Sequence, residues 1–160
     1  MAWRNDFSLG NFGLGFLVSA RFGGVVYSAT QAVLDSYGVS EATGNARDNG
    51  GVVINGNDVL DAQQWYSLIG ADSGIPLFYT YSATNIRLQE ASFSYTIPRA
   101  KINNIADITL SLVGRNLFMF YCKAPFDPEA VATTGNYYQG IDYFMMPSLR
   151  SIGLNVKLKF

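Results

Sequence analysis

The last ten residues, Ser151-Ile152-Gly153-Leu154-Asn155-Val156-Lys157-Leu158-Lys159-Phe160, alternate strictly between polar and apolar and stop on an aromatic. A period of two is the mark of a β-strand with one apolar face. Three further segments share it. Phe12, Leu14, Phe16, Val18 and Ala20 oppose Asn11, Gly13, Gly15, Ser19 and Arg21, with Leu17 as the exception. Ala91, Phe93, Tyr95 and Ile97 oppose Ser92, Ser94 and Thr96, while Ile86 and Leu88 upstream run in the opposite phase. The slip at Gln89-Glu90 predicts a β-bulge or an end of regular pairing. Finally, Ile108, Leu110, Leu112, Phe118 and Phe120 oppose Thr109, Ser111, Val113 and Arg115. The expectation is four antiparallel strands, near 11–22, 85–97, 106–121 and 148–160.

The connections between them alternate. Residues 23–84 and 123–147 are long, and a Pro98–Asn104 turn between them is short. Long structureless loops are unusual in compact soluble domains, whereas membrane barrels put short turns on one side and long loops on the other. The first long loop predicts short helices over Tyr27–Tyr37, with Ser28 or Thr30 as N-cap and Gly38 as stop, and over Asp58–Ile69, capped by Asn57 or Asp58. Gly44–Gly51 between them reads as turn material.

A length of 160 residues allows one domain. Charged residues are only 14% of the chain, against about 25% in ordinary soluble domains. Aromatics, also 14%, exclude intrinsic disorder. A net charge of −1 gives no electrostatic case for nucleic acid. The chain has no His, which removes Ser–His and Cys–His nucleophiles and His-ligated metals. One Cys, Cys122, makes no internal disulfide. The start, Met1 to Asp6, is polar and carries no signal-peptide pattern. No run approaches the roughly 20 apolar residues of a membrane helix. Two classes survive: a soluble all-β domain, as a β-sandwich binding module, and a membrane β-barrel. A self-contained small porin would need about eight strands.

Candidate chemistry is thin, and nothing points to an enzyme, a catalytic site or a cofactor. Asp127, Glu129 and Asp142 share the second long loop and could begin a calcium site, which wants six to eight oxygens; turn capping and loop solvation compete with that reading. Gly13-Leu14-Gly15 lies inside a strand and lacks the third Gly of a dinucleotide loop, so glycine on a barrel's inner face is the better reading. Arg21, Arg87, Arg115, Lys157 and Lys159 fall in or beside strands, as either a solvated face or a polar lumen. Phe118, Phe120 and Tyr121, Tyr143 and Phe144, and Tyr79 and Tyr81 lie near strand ends, as in the aromatic girdles of outer-membrane barrels. Ser151, Gly153, Val156, Leu158 and Phe160 have the form of the C-terminal assembly signal of such barrels.

Taken in order, these landmarks resemble the C-terminal end of the SusC/RagA-type TonB-dependent outer-membrane transporters of Bacteroidetes. They are Arg21-Phe22-Gly23-Gly24; Gly38-Val39-Ser40, Thr43, Arg47 and Gly50-Gly51-Val52; Ile86-Arg87-Leu88 and Phe93 to Pro98; Gly114 to Phe118; Asp127-Pro128-Glu129; Gly140-Ile141-Asp142, Pro147, Arg150, and Gly153 to Phe160. The resemblance covers essentially all of residues 1–160 and implies about four strands of a larger antiparallel barrel, with long extracellular loops, and with plug domain and signal peptide absent. It further implies outer-membrane localisation of a parent that imports oligosaccharides or peptides. The implied partners are the rest of the barrel and plug, a SusD-like surface lipoprotein, the TonB complex, the barrel-assembly machinery and outer-membrane lipid.

Overall fold

A computed structural model describes residues 1–72, 74–130, 135 and 138–160. In chain order the strands and helices are β1 (Ala2–Leu9), β2 (Phe12–Arg21), β3 (Val25–Ser28), α1 (Ala29–Ser36), α2 (Glu41–Asp48), β4 (Val52–Ile54), β5 (Asp58–Leu60), α3 (Ala62–Ile69), β6 (Thr80–Ser82), β7 (Asn85–Ile97), β8 (Asp107–Cys122), β9 (Ile141–Asp142) and β10 (Ser151–Lys159). Length alone predicts one domain. The chain instead divides into two compact units: residues 1–23, 83–127 and 147–160, and residues 24–82 and 128–146. The long connections carry enough apolar material to build a core of their own.

The first unit is one antiparallel sheet in the order β1-β2-β7-β8-β10. The four strands expected from alternation are all present, within a few residues of their expected ends. A fifth strand, β1, corrects the count. Its alternation, Trp3, Phe7 and Leu9 against Arg4, Asp6 and Ser8, is broken by Asn5, and its charges disguise it as a polar leader. It pairs with β2 through the two-residue loop Gly10-Asn11, with Leu9 opposite Phe12. Gly10 takes φ 58, a conformation that a hairpin turn of this length demands at its first position. The bulge falls where the phase slips: Leu17 pairs with Glu90 and Val18 with Leu88, leaving Gln89 extra. The β7–β8 pairing shifts at the same place.

The register builds apolar rows across the sheet. Phe7, Leu14, Phe93, Leu112 and Leu154 stand side by side, and Leu9, Phe12, Tyr95, Leu110 and Val156 form the next row. Paired residues share a face, so this face is continuous and apolar. It is also bare: Leu14, Phe93 and Leu112 are each about half exposed, and Leu154 is 74% exposed. Arg21, Asn85 and Cys122 align at one end of the sheet, where the long connections leave or return. The Pro98 turn joins β7 to β8 at the other end. There Asn103 and Asn104 take left-handed φ values, and the Arg99 N–H donates to Asp107 at 2.7 Å.

Among its described residues the second unit has a three-stranded sheet, β6-β3-β9, a β4–β5 hairpin, three α-helices and a 3-10 turn over Pro76–Tyr79. β3 pairs antiparallel with β6 but parallel with β9, so the protein is not antiparallel throughout. Each helix has a side-chain cap. Ser28 Oγ accepts from the Gln31 N–H, and Gly38 at φ 70 follows the Tyr37 C-cap, as expected for α1. Gly44–Gly51 is corrected from turn to helix for most of its length: Ser40 accepts from the Thr43 N–H and starts α2. The second expected helix is shorter than predicted. Asp61 caps α3 by accepting from Gln63 and Gln64, while Asp58–Leu60 is strand. Val59 and Leu60 fit a hairpin as well as a helix face, so periodicity alone did not separate them. Ala32, Ile69 and Tyr79 form the core, with Tyr27, Trp65 and Tyr66 packed against it.

Candidate functional site

Within the sheet unit, the motif residue Asp127 is held where β8 ends. Arg87 on β7 donates from Nη2 to Asp127 Oδ1 at 2.6 Å, with the two side chains only 4% and 9% exposed. Asp127 Oδ2 accepts from the Ser148 backbone N–H at 3.0 Å. The pair therefore joins the residue where the second long connection leaves the sheet to the residue where it returns. Pro128 is fully buried and Glu129 exposed. Asp142 is engaged elsewhere, accepting from Ser28 Oγ at 2.9 Å. Asp127 and Asp142 thus each have protein partners, and among the described residues no three His, Cys, Asp or Glu gather to hold a metal.

The face of the sheet opposite the apolar rows is polar. Arg4 pairs with Asp6 at 2.8 Å, Arg115 with Glu90 at 3.4 Å, and the Thr96 and Thr109 hydroxyls lie 3.0 Å apart. Lys157 and Lys159 stand on β10 opposite Thr109 and Asp107. Gly13 and Gly15 serve this face by making room: a Cβ on Gly15 would lie 2.6 Å from Asp6 Oδ1 and 2.7 Å from Ser92 Oγ. The Arg4–Asp6 pair has no signal in the alternation, because Asn5 interrupts the apolar face of β1.

Among the described residues β10 lies at the sheet edge, paired with β8. Of the residues in the terminal signal pattern, Ser151 and Gly153 pair with Arg115 and Val113 on the polar face. Val156 and Leu158 pair with Leu110 and Ile108 on the apolar face, and Phe160 is 87% exposed just beyond the strand. The aromatic girdle is partly corrected. Phe118, Phe120 and Tyr121 are exposed near the end of β8. Tyr79, however, is buried in the core of the second unit, Tyr81 sits in β6, and Tyr143 and Phe144 follow β9.

The second unit holds a cavity of about 180 Å³ lined by Asp35, Tyr37, Gly38, Arg47, Gln63 and Tyr66 among others. Asp35 is 3% exposed, and its carboxylate faces the Tyr79 hydroxyl closely enough to interact by charge and by hydrogen bond. Arg47 is exposed and donates from Nη1 to the Gly38 carbonyl at 2.7 Å. Burial, reinforced by the charge of Asp35, pushes both the Tyr66 and the Tyr79 hydroxyls above the usual phenol range. Sequence reasoning found neither this cavity nor Asp35, because its lining comes from three helices, one of which reads as a turn.

No family model matches the chain. Over its whole length it is 25% identical to the TonB-dependent receptor P3 of Formosa agariphila, covering 16% of that protein. The chain resembles a SusC/RagA-like TonB-dependent transporter segment. The structure agrees in fold: 99% of this receptor-like segment aligns with 17% of a chain in the RagAB peptide importer, solved in its open-open state, with a TM-score of 0.71 and 15% identity. Both matches are named as a receptor or an importer, not as enzymes. The segment therefore spans about a sixth of the length of the proteins it matches.

Proposed function

We propose that the chain is the C-terminal wall of a TonB-dependent outer-membrane nutrient transporter, supplying barrel strands, extracellular loops and a terminal assembly signal. The observation that carries this reading is the bare, continuous apolar face of the sheet, backed by a polar face of ion pairs and glycines. A soluble monomer seldom exposes so large an apolar strip, whereas a barrel wall turns it to lipid and keeps polar residues inside. The whole-length similarity to a TonB-dependent receptor supports the same assignment. On this reading residues 1–160 are one part of a larger barrel, whose plug lies elsewhere in the parent.

The finer roles follow from that assignment. Ser151, Gly153, Val156, Leu158 and Phe160 mark the strand for the assembly machinery. Asp127, Pro128 and Glu129 shape the root of an extracellular loop. The cargo is an oligosaccharide or a peptide, with a SusD-like lipoprotein outside and TonB inside. The test is fractionation and uptake with the full-length parent. It should reach the outer membrane, migrate as a heat-modifiable barrel, and support TonB-dependent growth on its cargo. Recovery in the soluble fraction would overturn the reading.

A further inference from the structure

Four glycines lie inside strands of the sheet: Gly13 and Gly15 on β2, Gly114 on β8 and Gly153 on β10. Glycine weakens a strand, because it brings no side chain to pack and loses the most chain entropy on folding. For three of the four the sheet itself supplies the reason. A Cβ on Gly13 would strike Ser94 Oγ, one on Gly15 would lie 2.6 Å from Asp6 Oδ1, and one on Gly114 would lie 2.6 Å from Leu117 Cδ2. Gly153 differs: a Cβ there would meet nothing within 4 Å. Its φ is not left-handed either, so its backbone is open to any residue. A reason to keep a side chain away from position 153 therefore lies outside the described residues.

The space over Gly153 has a definite chemistry. An open groove of about 310 Å³ lies against β10, and five of its lining residues, Val113, Arg115, Ser151, Gly153 and Asn155, stand on the polar face. Arg115, Ser151 and Asn155 make it polar, while Val113 and the bare Gly153 backbone offer a flat apolar seat. Beside it runs the outer edge of β10, which no strand covers among the described residues. Such an edge is a template for a further strand. A residue opposite Gly153 on that strand sends its side chain over the same face. A flat ring is what packs over a strand glycine, and the polar surroundings fit a ring that carries a hydroxyl. Arg115 adds a cation beside the ring face.

We propose that Gly153 is the seat of a tyrosine ring carried by the strand that pairs with the outer edge of β10 in the parent barrel. This rests on the barrel-wall reading of the chain, and it gives Gly153 a role in closure beyond its place in the terminal pattern.

The test places Gly153→Val in two settings. In the 160-residue chain in detergent, its urea midpoint should equal or exceed that of wild type, while Gly15→Val should lower the midpoint, since only the second side chain meets neighbours. In the full-length parent, Gly153→Val should lose most of the heat-modifiable barrel in the outer membrane. Each tyrosine of the pairing strand is then replaced by alanine, one at a time, alongside Gly153→Val. One of these double variants should restore assembly. Absence of the wild-type parent from the outer membrane would overturn the barrel-wall reading, and the seat with it. With wild type assembled, full assembly of Gly153→Val would overturn the seat alone. So would a loss that no tyrosine replacement restores, which would put the occupant on the plug or the assembly machinery. Equal destabilisation of the 160-residue chain by Gly153→Val and Gly15→Val would overturn it too, because the need for glycine would then lie within the chain.

Discussion

Arg87 and Asp127 form a buried ion pair at 2.6 Å, and the other oxygen of the same carboxylate accepts from the Ser148 backbone. One side chain thereby ties together three strands' worth of chain: β7, the end of β8, and the approach to β10.

Removing one member of a buried pair leaves an uncompensated charge and costs about 3–5 kcal/mol. Asp127→Ala and Arg87→Ala should each destabilise the chain by that amount in urea unfolding in detergent. The double variant Arg87→Ala/Asp127→Ala should cost less than the sum of the two. Additive losses would mean the pair is not coupled.

The lipid-facing assignment predicts a cost for charge at mid-strand. Leu112, between Phe93 and Leu154, should tolerate polar contact poorly in a bilayer. Leu112→Arg should lower folding stability by about 2–4 kcal/mol in lipid vesicles, while Ser111→Arg on the polar face should cost much less. Reversed effects would mean the faces are exchanged.

The terminal strand is expected to be read during assembly through its apolar face. Deletion of Phe160, or Phe160→Asp, should sharply reduce assembled parent barrel in the outer membrane, measured by heat-modifiable migration. Lys159→Ala should leave it nearly intact. Equal assembly of wild type and the deletion would leave β10 as a closing strand only.

Tyr79 predicts an alkaline weakness in the second unit. Folding raises the pKa of its hydroxyl above its ordinary value of 10.0. The stability it contributes is therefore fully present below pH 10 and is lost as pH rises toward the folded-state value. Its hydroxyl lies against the buried Asp35 carboxylate, whose charge and hydrogen bond both add to the shift, so Tyr79→Phe should cost about 1 kcal/mol at pH 7. Above pH 10 the variant should hold its structure where wild type unfolds, followed by circular dichroism. Parallel loss in both would remove Tyr79 as the cause.

How much the sequence revealed depended on how local the signal was. Strict alternation in β10 and the phase slip at Gln89 are local, and both match the structure. β1 was legible in principle from Gly10-Asn11, a recognised hairpin pair, but Asn5 interrupts its apolar face. α2 was hidden because Gly44 and Asn45 are turn formers, while its Ser40 cap and docking, not propensity, make the helix. Arg87 and Asp127 are 40 residues apart, and nothing local announces their meeting. The same holds for the parallel contact of β3 with β9, which no hairpin signal encodes.

That last pairing also sets an order of events. Ser28 and Asp142 meet across a separation of 114 residues, and Tyr27 pairs with Ile141. Contacts of such long range form late, because the closure entropy of the intervening chain must be met first. α1 and α3 can coil and dock early, but their sheet stays unfinished until residues 141 and 142 arrive. A sheet that is completed only when residues 141 and 142 arrive offers a clock: protease resistance around Tyr27 should emerge late in refolding, and its appearance would report that β9 has docked on β3.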